Sequence, residues 1–266
     1  MGKVSKYVAK QPDASGRIDY TDEENAVWRD LYQRQQQYLP GRVHPEWIAA
    51  LERLQLPTDR VPQCTEVSEV LLDHTGWQVE PVPALIPFTR FFQLLSEKKF
   101  PAASFIRSRE DFDYLQEPDI FHEIFGHTPM LTDSRFAEFT LAYGRAGLAA
   151  DKKDHAMLAR LYWFTVEFGL IQTEQGLRSY GAGINSSPGE LVYALESDAP
   201  LRKVIDPIDV LRTPYRIDIY QTVYFIIDSF DQLFDIAQLD LLALIDQARA
   251  LGMHAPTFEA KEKIAS

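Results

Sequence analysis

A chain of 266 residues in which 45% are hydrophobic and 25% charged is long enough to bury a sizeable core as one undivided domain and is far from a disordered composition. Thirty-nine acidic residues against 27 basic ones leave a formal charge of -12, and without a Lys/Arg run there is no electrostatic footprint for nucleic acid. The single cysteine, Cys64, excludes an intramolecular disulfide framework; it reads as a half-buried small residue in a reducing compartment.

The start, MGKVSKYVAKQPD, contains no apolar stretch that would act as a secretory signal, and no later segment reaches bilayer length, so a cytoplasmic protein without a membrane partner is expected. Gly2 is not read as a lipidation site, because Lys6 stands where that pattern needs Ser or Thr. Residues 1–20 read as a flexible polar arm and residues 21–266 as a single domain. No internal repeat or Gly/Ser-rich linker divides it.

Apolar residues spaced at three and four predict helices over 22–39 and 44–56, the second started by Pro45. A third is expected over 65–77, closed by Gly76. The proline-broken run 79–88 cannot be helical, and the helix FTRFFQLLSEKK follows it. PAASFIRS (101–108) reads as a short strand, and DIFHEIFGH (119–127) as a helix after Pro118 that ends around Gly126, Thr128 and Pro129. Two longer helices are expected over about 134–150 and 154–171, turn residues between short extended pieces over 173–190, and a late helix over 230–252. The fold class is therefore mainly α (α+β), with small antiparallel sheets. YGAGINSSPG matches neither dinucleotide nor Walker phosphate loops and reads as a tight turn beside a pocket.

Two of the six histidines fall in FHEIFGH, five residues apart among apolar side chains. On an ideal helix that spacing turns them by roughly 140°, so both imidazoles reach one ion only if the helix unwinds near Gly126. Gly126 also occupies the position where a zinc peptidase HExxH motif needs its second histidine, so a peptidase is disfavoured. The plainer reading is two unrelated histidines with ordinary hydrogen bonds. Glu167 sits on a face with Trp163, Phe164, Leu170 and Ile171, where an ionised carboxylate must be paired, protonated or metal-bound. Arg160, two turns back, is the rival partner. Two imidazoles and a carboxylate leave up to three cis positions, which suits Fe(II), with zinc as the competing metal. Asp119, one turn before His122, has two candidate roles: accepting the proton of the non-ligating His122 nitrogen, or capping the helix.

With EPDIFHEIFGHTP, LYWFTVEFGL and SYGAGINSSPGE in this order, the chain resembles the aromatic amino acid hydroxylases. TGWQVEPV, FIRS and YQTVYFIIDSF extend the likeness over nearly the whole length. The resemblance implies a mainly helical catalytic domain around a non-haem iron held by His122, His127 and Glu167, with dioxygen and a reduced pterin such as tetrahydrobiopterin as co-substrates. It implies that Arg107 binds the carboxylate of the amino acid, and that Tyr114, Trp163, Gly183 and Ser186 line the substrate pocket. It also implies that Phe91 stacks on the pterin, with Glu123 and Tyr162 close to it. Ile217, where the tyrosine-specific members carry an aspartate, suits an unsubstituted ring, so ring hydroxylation of phenylalanine to tyrosine is the expected reaction. Leu115 departs from the threonine of animal members. The likeness is to the short bacterial form, expected to be a monomer without a regulatory domain before residue 20 or an oligomerisation helix after about 255. Two rival readings are a tyrosine or tryptophan hydroxylase of the same family and a metal-free helical binding protein.

Overall fold

Local signals start most helices of the computed structural model, which describes residues 6–83 and 85–259. Thr21 and Glu24 cap each other reciprocally at the head of α1 (Asp22–Tyr38). His44 accepts the Glu46 N–H and Pro45 takes the first turn of α2 (Pro45–Leu54). Gly76, at φ 76°, ends α3 (Cys64–Thr75) in the left-handed conformation that favours glycine. Cys64 is buried.

Strand β1 (Gln78–Val82) leads through the proline-rich stretch into α4 (Phe88–Ser96) and back into β2 (Lys99–Ala103), which pairs with β1 in parallel. The strand expected over 101–108 thus begins at Lys99 and ends at Ala103. After a π-helical turn (Phe121–His127) come α5 (Ser134–Ala149), capped by Asp133, and α6 (His155–Tyr162). The helix expected to run to 171 is α-helical only to Tyr162, widens into a second π turn (Trp163–Glu167), and becomes β3 (Gly169–Thr173). A short apolar run such as FGLI fits a buried strand as well as a helix, and sheet pairing decides between them. β4 (Gly176–Ser179) follows, then α7 (Ala182–Asn185) and α8 (Pro188–Glu196), so the stretch taken for turns and extended pieces is partly helical.

Strand β5 (Leu201–Val204), α9 (Pro207–Arg212) and β6 (Val223–Ile227) precede α10 (Phe230–Gln238) and α11 (Leu241–Leu251). The last two replace the single helix expected over 230–252: Leu239 turns extended and Asp240 caps the new helix by accepting the Ala243 N–H. The larger sheet has the order β4-β3-β6-β5, and only β3–β4 is antiparallel; β3–β6 and β5–β6 are parallel. The expectation of antiparallel sheets holds only for β3–β4, because helices, not tight turns, connect most of the paired strands.

One hydrophobic cluster runs from Ile18 to Ala248, and Trp28, Trp47 and Trp77 are fully buried in it. Residues 6–20, read from sequence as a flexible arm, lie against this body. The Tyr7 ring stacks on Phe105 at 4.6 Å, the side chain of Gln63 bonds both the N–H and the carbonyl of Ile18, and Tyr20 donates to the Ser104 carbonyl. Among the described residues no helix is long and apolar enough to cross a membrane.

Helices α4 and α5 cross closely because α5 presents glycines to α4. A Cβ at Gly144 would lie 2.7 Å from the Ser96 nitrogen and 2.6 Å from Leu95 Cβ. Backbone cannot swing aside as a side-chain end does, so Gly144→Ala is expected to destabilise the fold by about 1–2 kcal/mol, overpacking outweighing the gain in helix propensity. Denaturant unfolding measures this; a variant as stable as the parent, or more so, contradicts the close crossing.

Candidate active site

The two π turns bring the candidate ligands together. Bonding from i to i+5 widens the turn Phe121–His127, so that residues five apart share a face instead of diverging. His122 Nε2 and His127 Nε2 lie 3.1 Å apart. The widening runs through the whole turn and is not an unwinding at Gly126, whose lack of a side chain serves another purpose: a Cβ there would sit 2.8 Å from the Ala182 carbonyl. Glu167 ends the second π turn, with Oε1 3.0 Å from His127 Nε2 and Oε2 3.5 Å from His122 Nε2. Arg160 reaches the Leu211 carbonyl instead, so the rival ion pair with Glu167 does not form.

The tautomer of His122 follows from its neighbour. Ser186 Oγ donates to the Ala182 carbonyl at 2.8 Å, so its oxygen accepts from His122 Nδ1, 2.9 Å away, and the Nε2 lone pair is left toward Glu167 and His127. Asp119, one of whose two candidate roles was to bond this ring, caps the turn through the His122 backbone N–H and takes Arg107 as its partner. Ser186 fills the orienting role. His127 is held by the Phe100 ring at 4.9 Å, with Tyr162 Oη 3.5 Å from its Nδ1.

Electrostatics sort the carboxylates. Burial pushes Glu167 up, but His127 and His122 outweigh it and hold the carboxyl below its ordinary range. Burial drives His122 down to about 4, helped by His127 and opposed by Glu167. Glu123 is raised well above its ordinary value, by burial first and then by Glu167 and Asp119. Glu123 forms with the two imidazoles another set whose ligand atoms lie within 4.8 Å of one another. Its Oε2 is 3.9 Å from His127 Nε2, farther than Glu167, and its environment favours the protonated acid. Glu167 stands nearer the two imidazoles than Glu123 does.

A cavity of about 840 Å³ opens over these groups, and every site residue expected from the sequence lines it. Arg107 is buried, with its N–H, Nε and Nη2 committed to Asp119 at 2.8–3.0 Å, which leaves Nη1 outside the pair. Trp163 lies flat on Tyr215 at 4.4 Å and near Phe168 at 4.6 Å. A Cβ on Gly183 would come within 3.2 Å of Glu167 Oε2, so a side chain there would crowd the ligand carboxylate. Phe91 meets Tyr162 edge-on at 5.3 Å. Tyr114 and Ile217 line the cavity at its rim, 59% and 54% exposed; Leu115 lines the cavity near them.

Sequence reasoning missed Glu190 and Gln221. Glu190 follows Ser187-Pro188 and looks like a solvated first-turn acid, yet it is 5% exposed, and its Oε1 accepts from the Gln221 N–H and the Tyr224 hydroxyl. No local pattern announces such burial.

Residues 4–239 match the biopterin-dependent aromatic amino acid hydroxylases, and the chain belongs to that family. It is 53% identical to a phenylalanine-4-hydroxylase of Pseudomonas aeruginosa over 98% of this chain and 99% of that one. Among solved structures, the apo form of the cold-active phenylalanine hydroxylase from Colwellia psychrerythraea superposes with a TM-score of 0.92 at 54% identity, over 94% of this chain and 97% of that one. The Chromobacterium violaceum phenylalanine hydroxylase with bound oxidised Fe(III) gives 0.88 at 44% identity, over 95% and 91%.

Burial lifts the Glu190 pKa to about 7 from an ordinary carboxylate value of 4.5, against the pull of its bonds from Tyr224 and Gln221. The folded chain therefore keeps a proton that the unfolded chain loses, and Glu190 erodes stability as pH rises from 4.5 to about 7. Glu190→Gln is expected to gain on the parent across that window by up to about 3 kcal/mol. Unfolding at pH 5 and pH 8 tests this; the same difference at both contradicts the shift.

Proposed function

We propose that this chain converts L-phenylalanine to L-tyrosine, using dioxygen and a reduced pterin such as tetrahydrobiopterin at an Fe(II) held by His122, His127 and Glu167. The observation that carries the reading is the meeting of two imidazole Nε2 atoms and one carboxylate, 3.0–3.5 Å apart, within one large cavity. Two imidazoles and one carboxylate fit ferrous iron, because they leave adjacent positions for oxygen chemistry. When bound, the iron and the reduced pterin supply the activation of dioxygen that places one oxygen atom on the aromatic ring. The iron-bearing and phenylalanine-hydroxylating relatives support both assignments.

The protein's own groups prepare that chemistry. Ser186 fixes the His122 tautomer, and the His122 and His127 rings keep Glu167 ionised in a buried setting. Arg107 is held rigid by Asp119 and offers the amino acid carboxylate a fixed cation on the cavity wall. Trp163, Gly183, Ser186 and Tyr114 shape the substrate side. Phe91 offers its ring to the flat pterin, while Tyr162 and Glu123 stand beside it on the cavity wall. Apolar Ile217 on the rim asks nothing of an unsubstituted ring and provides no partner for a hydroxyl. The likeness to the short bacterial form supports a monomer.

Reconstitution with Fe(II) under anaerobic conditions, followed by turnover with reduced pterin and oxygen, tests the reading. Tyrosine formed from phenylalanine as the preferred reaction is expected; preferred turnover of tyrosine or tryptophan replaces this substrate with the family's others. Glu167→Ala and His122→Ala are each expected to abolish hydroxylation and weaken iron retention by about tenfold or more. Metal analysis showing full iron content and activity in either would remove the triad. Arg107→Ala would also strand buried Asp119, at a cost of about 3–5 kcal/mol. Arg107→Lys is therefore the cleaner variant: loss of the planar fork is expected to raise the phenylalanine KM about tenfold with iron retained. An unchanged KM removes the carboxylate-binding role.

A further inference from the structure

One wall of the cavity is the strap 215–221, between α9 and β6. Its middle is poorly anchored by burial, since Ile217, Ile219 and Tyr220 are all exposed. Within the strap, Arg216 and Asp218 form a bidentate pair with both bonds at 2.9 Å, while Arg216 also donates to the Glu259 carbonyl at 3.0 Å and ring contacts join Tyr215 to Trp163 and Tyr220 to Tyr193. The buried polar tie is at its end. Gln221 is 3% exposed and uses both ends of its side-chain amide: Nε2 donates to the Arg216 carbonyl at 2.9 Å and to the Ile219 carbonyl at 3.2 Å, and Oε1 accepts Trp163 Nε1–H at 2.9 Å. Its backbone N–H is held at 3.0 Å by buried Glu190, itself gripped by the Tyr224 hydroxyl on β6.

We infer that Gln221, backed by Glu190, is a positioning residue that clamps the substrate strap to Trp163 and thereby sets which aromatic side chain the pocket accepts. The inference rests on the substrate reading above and deepens it. The geometry favours this role over ordinary core packing for two reasons. Both bonds from Nε2 end on carbonyls of the strap that carries Ile217, and the Oε1 bond ends on the π turn that carries Glu167. The amide therefore spans the gap between the wall that meets the ring and the turn that holds the metal ligand. No apolar side chain of that size makes either connection, and its loss would leave the Trp163 N–H and two strap carbonyls without these partners.

Gln221→Leu keeps the volume and removes all three side-chain bonds; Gln221→Glu keeps the acceptor for Trp163 but sets a carboxylate against the two carbonyls. Steady-state kinetics on the iron-loaded enzyme are measured with phenylalanine, tyrosine and tryptophan, and with the pterin varied separately. For Gln221→Leu the phenylalanine KM is expected to rise about tenfold, and the tryptophan-to-phenylalanine ratio of kcat/KM to rise by a similar factor, as the loss of about 1.4 kcal/mol of positioning would produce. The pterin KM is expected to stay within about twofold, and Gln221→Glu to fall between parent and Leu variant. If the Leu variant does not fold, the Glu variant decides by the same readouts. The clamp is overturned if phenylalanine KM and the selectivity ratio stay at parental values, or if kcat and both KM values deteriorate together as in general loss of structure. The parent's own preferred amino acid bears on the substrate reading, whereas the change from parent to variant bears on the clamp.

Discussion

An ionised carboxylate surrounded by aromatic rings costs several kcal/mol unless charge is brought to it, and the centre of this molecule is arranged around that cost at Glu167. The two imidazoles that lower it come from another segment, so the cost is met only when both π turns are formed and packed together. Each turn departs from the ordinary helix that its sequence favours, and the departure puts the donor atoms on one side. Hydrogen bonding from i to i+5 is poorer than in an α-helix and is seen where a site demands it. Here the demand is the meeting of His122, His127 and Glu167.

A second buried charge pair braces the first. Asp119 is fully buried and stays ionised because Arg107 meets it with two side-chain bonds and one backbone bond, and the same carboxylate caps the turn that presents His122. Arg107 thus orients the ligand-bearing turn through its partner while lining the cavity. Small residues complete the support: Gly126 lets α7 approach the first π turn, and Gly183 leaves room beside Glu167. Ser186, the residue that caps the end of α7, orients the His122 ring, so this segment touches the candidate site through its backbone, its lack of a side chain and a hydroxyl.

The cavity has unequal walls. The metal side is rigid, made of π turns, packed rings and paired charges, while the rim carries exposed Tyr114 and the strap with Ile217. The strap is a lightly buried segment, and an amide with three side-chain bonds joins it to Trp163, the contact on which the proposed selectivity rests. Chemistry and selectivity are supported by different parts of the fold, joined at Trp163.

Chain chemistry by itself determined much: the capped helices α1 and α2, the stop at Gly76, the mainly helical class, and, through long motifs in register, the grouping of every expected site residue around one cavity. The helices and their stops are local signals, carried by propensity, caps and spacing, whereas most of the site residues were implied by the family resemblance that the motifs carry. Tertiary structure alone decided where α6 gives way to a π turn and then to β3, which pairings are parallel, and that Ser186 and not Asp119 holds the His122 ring. It also decided that Glu190 and Gln221 are buried polar anchors. In each case the partner lies far along the chain, and neither burial nor the donor facing a given acceptor is written in the residues on either side of it.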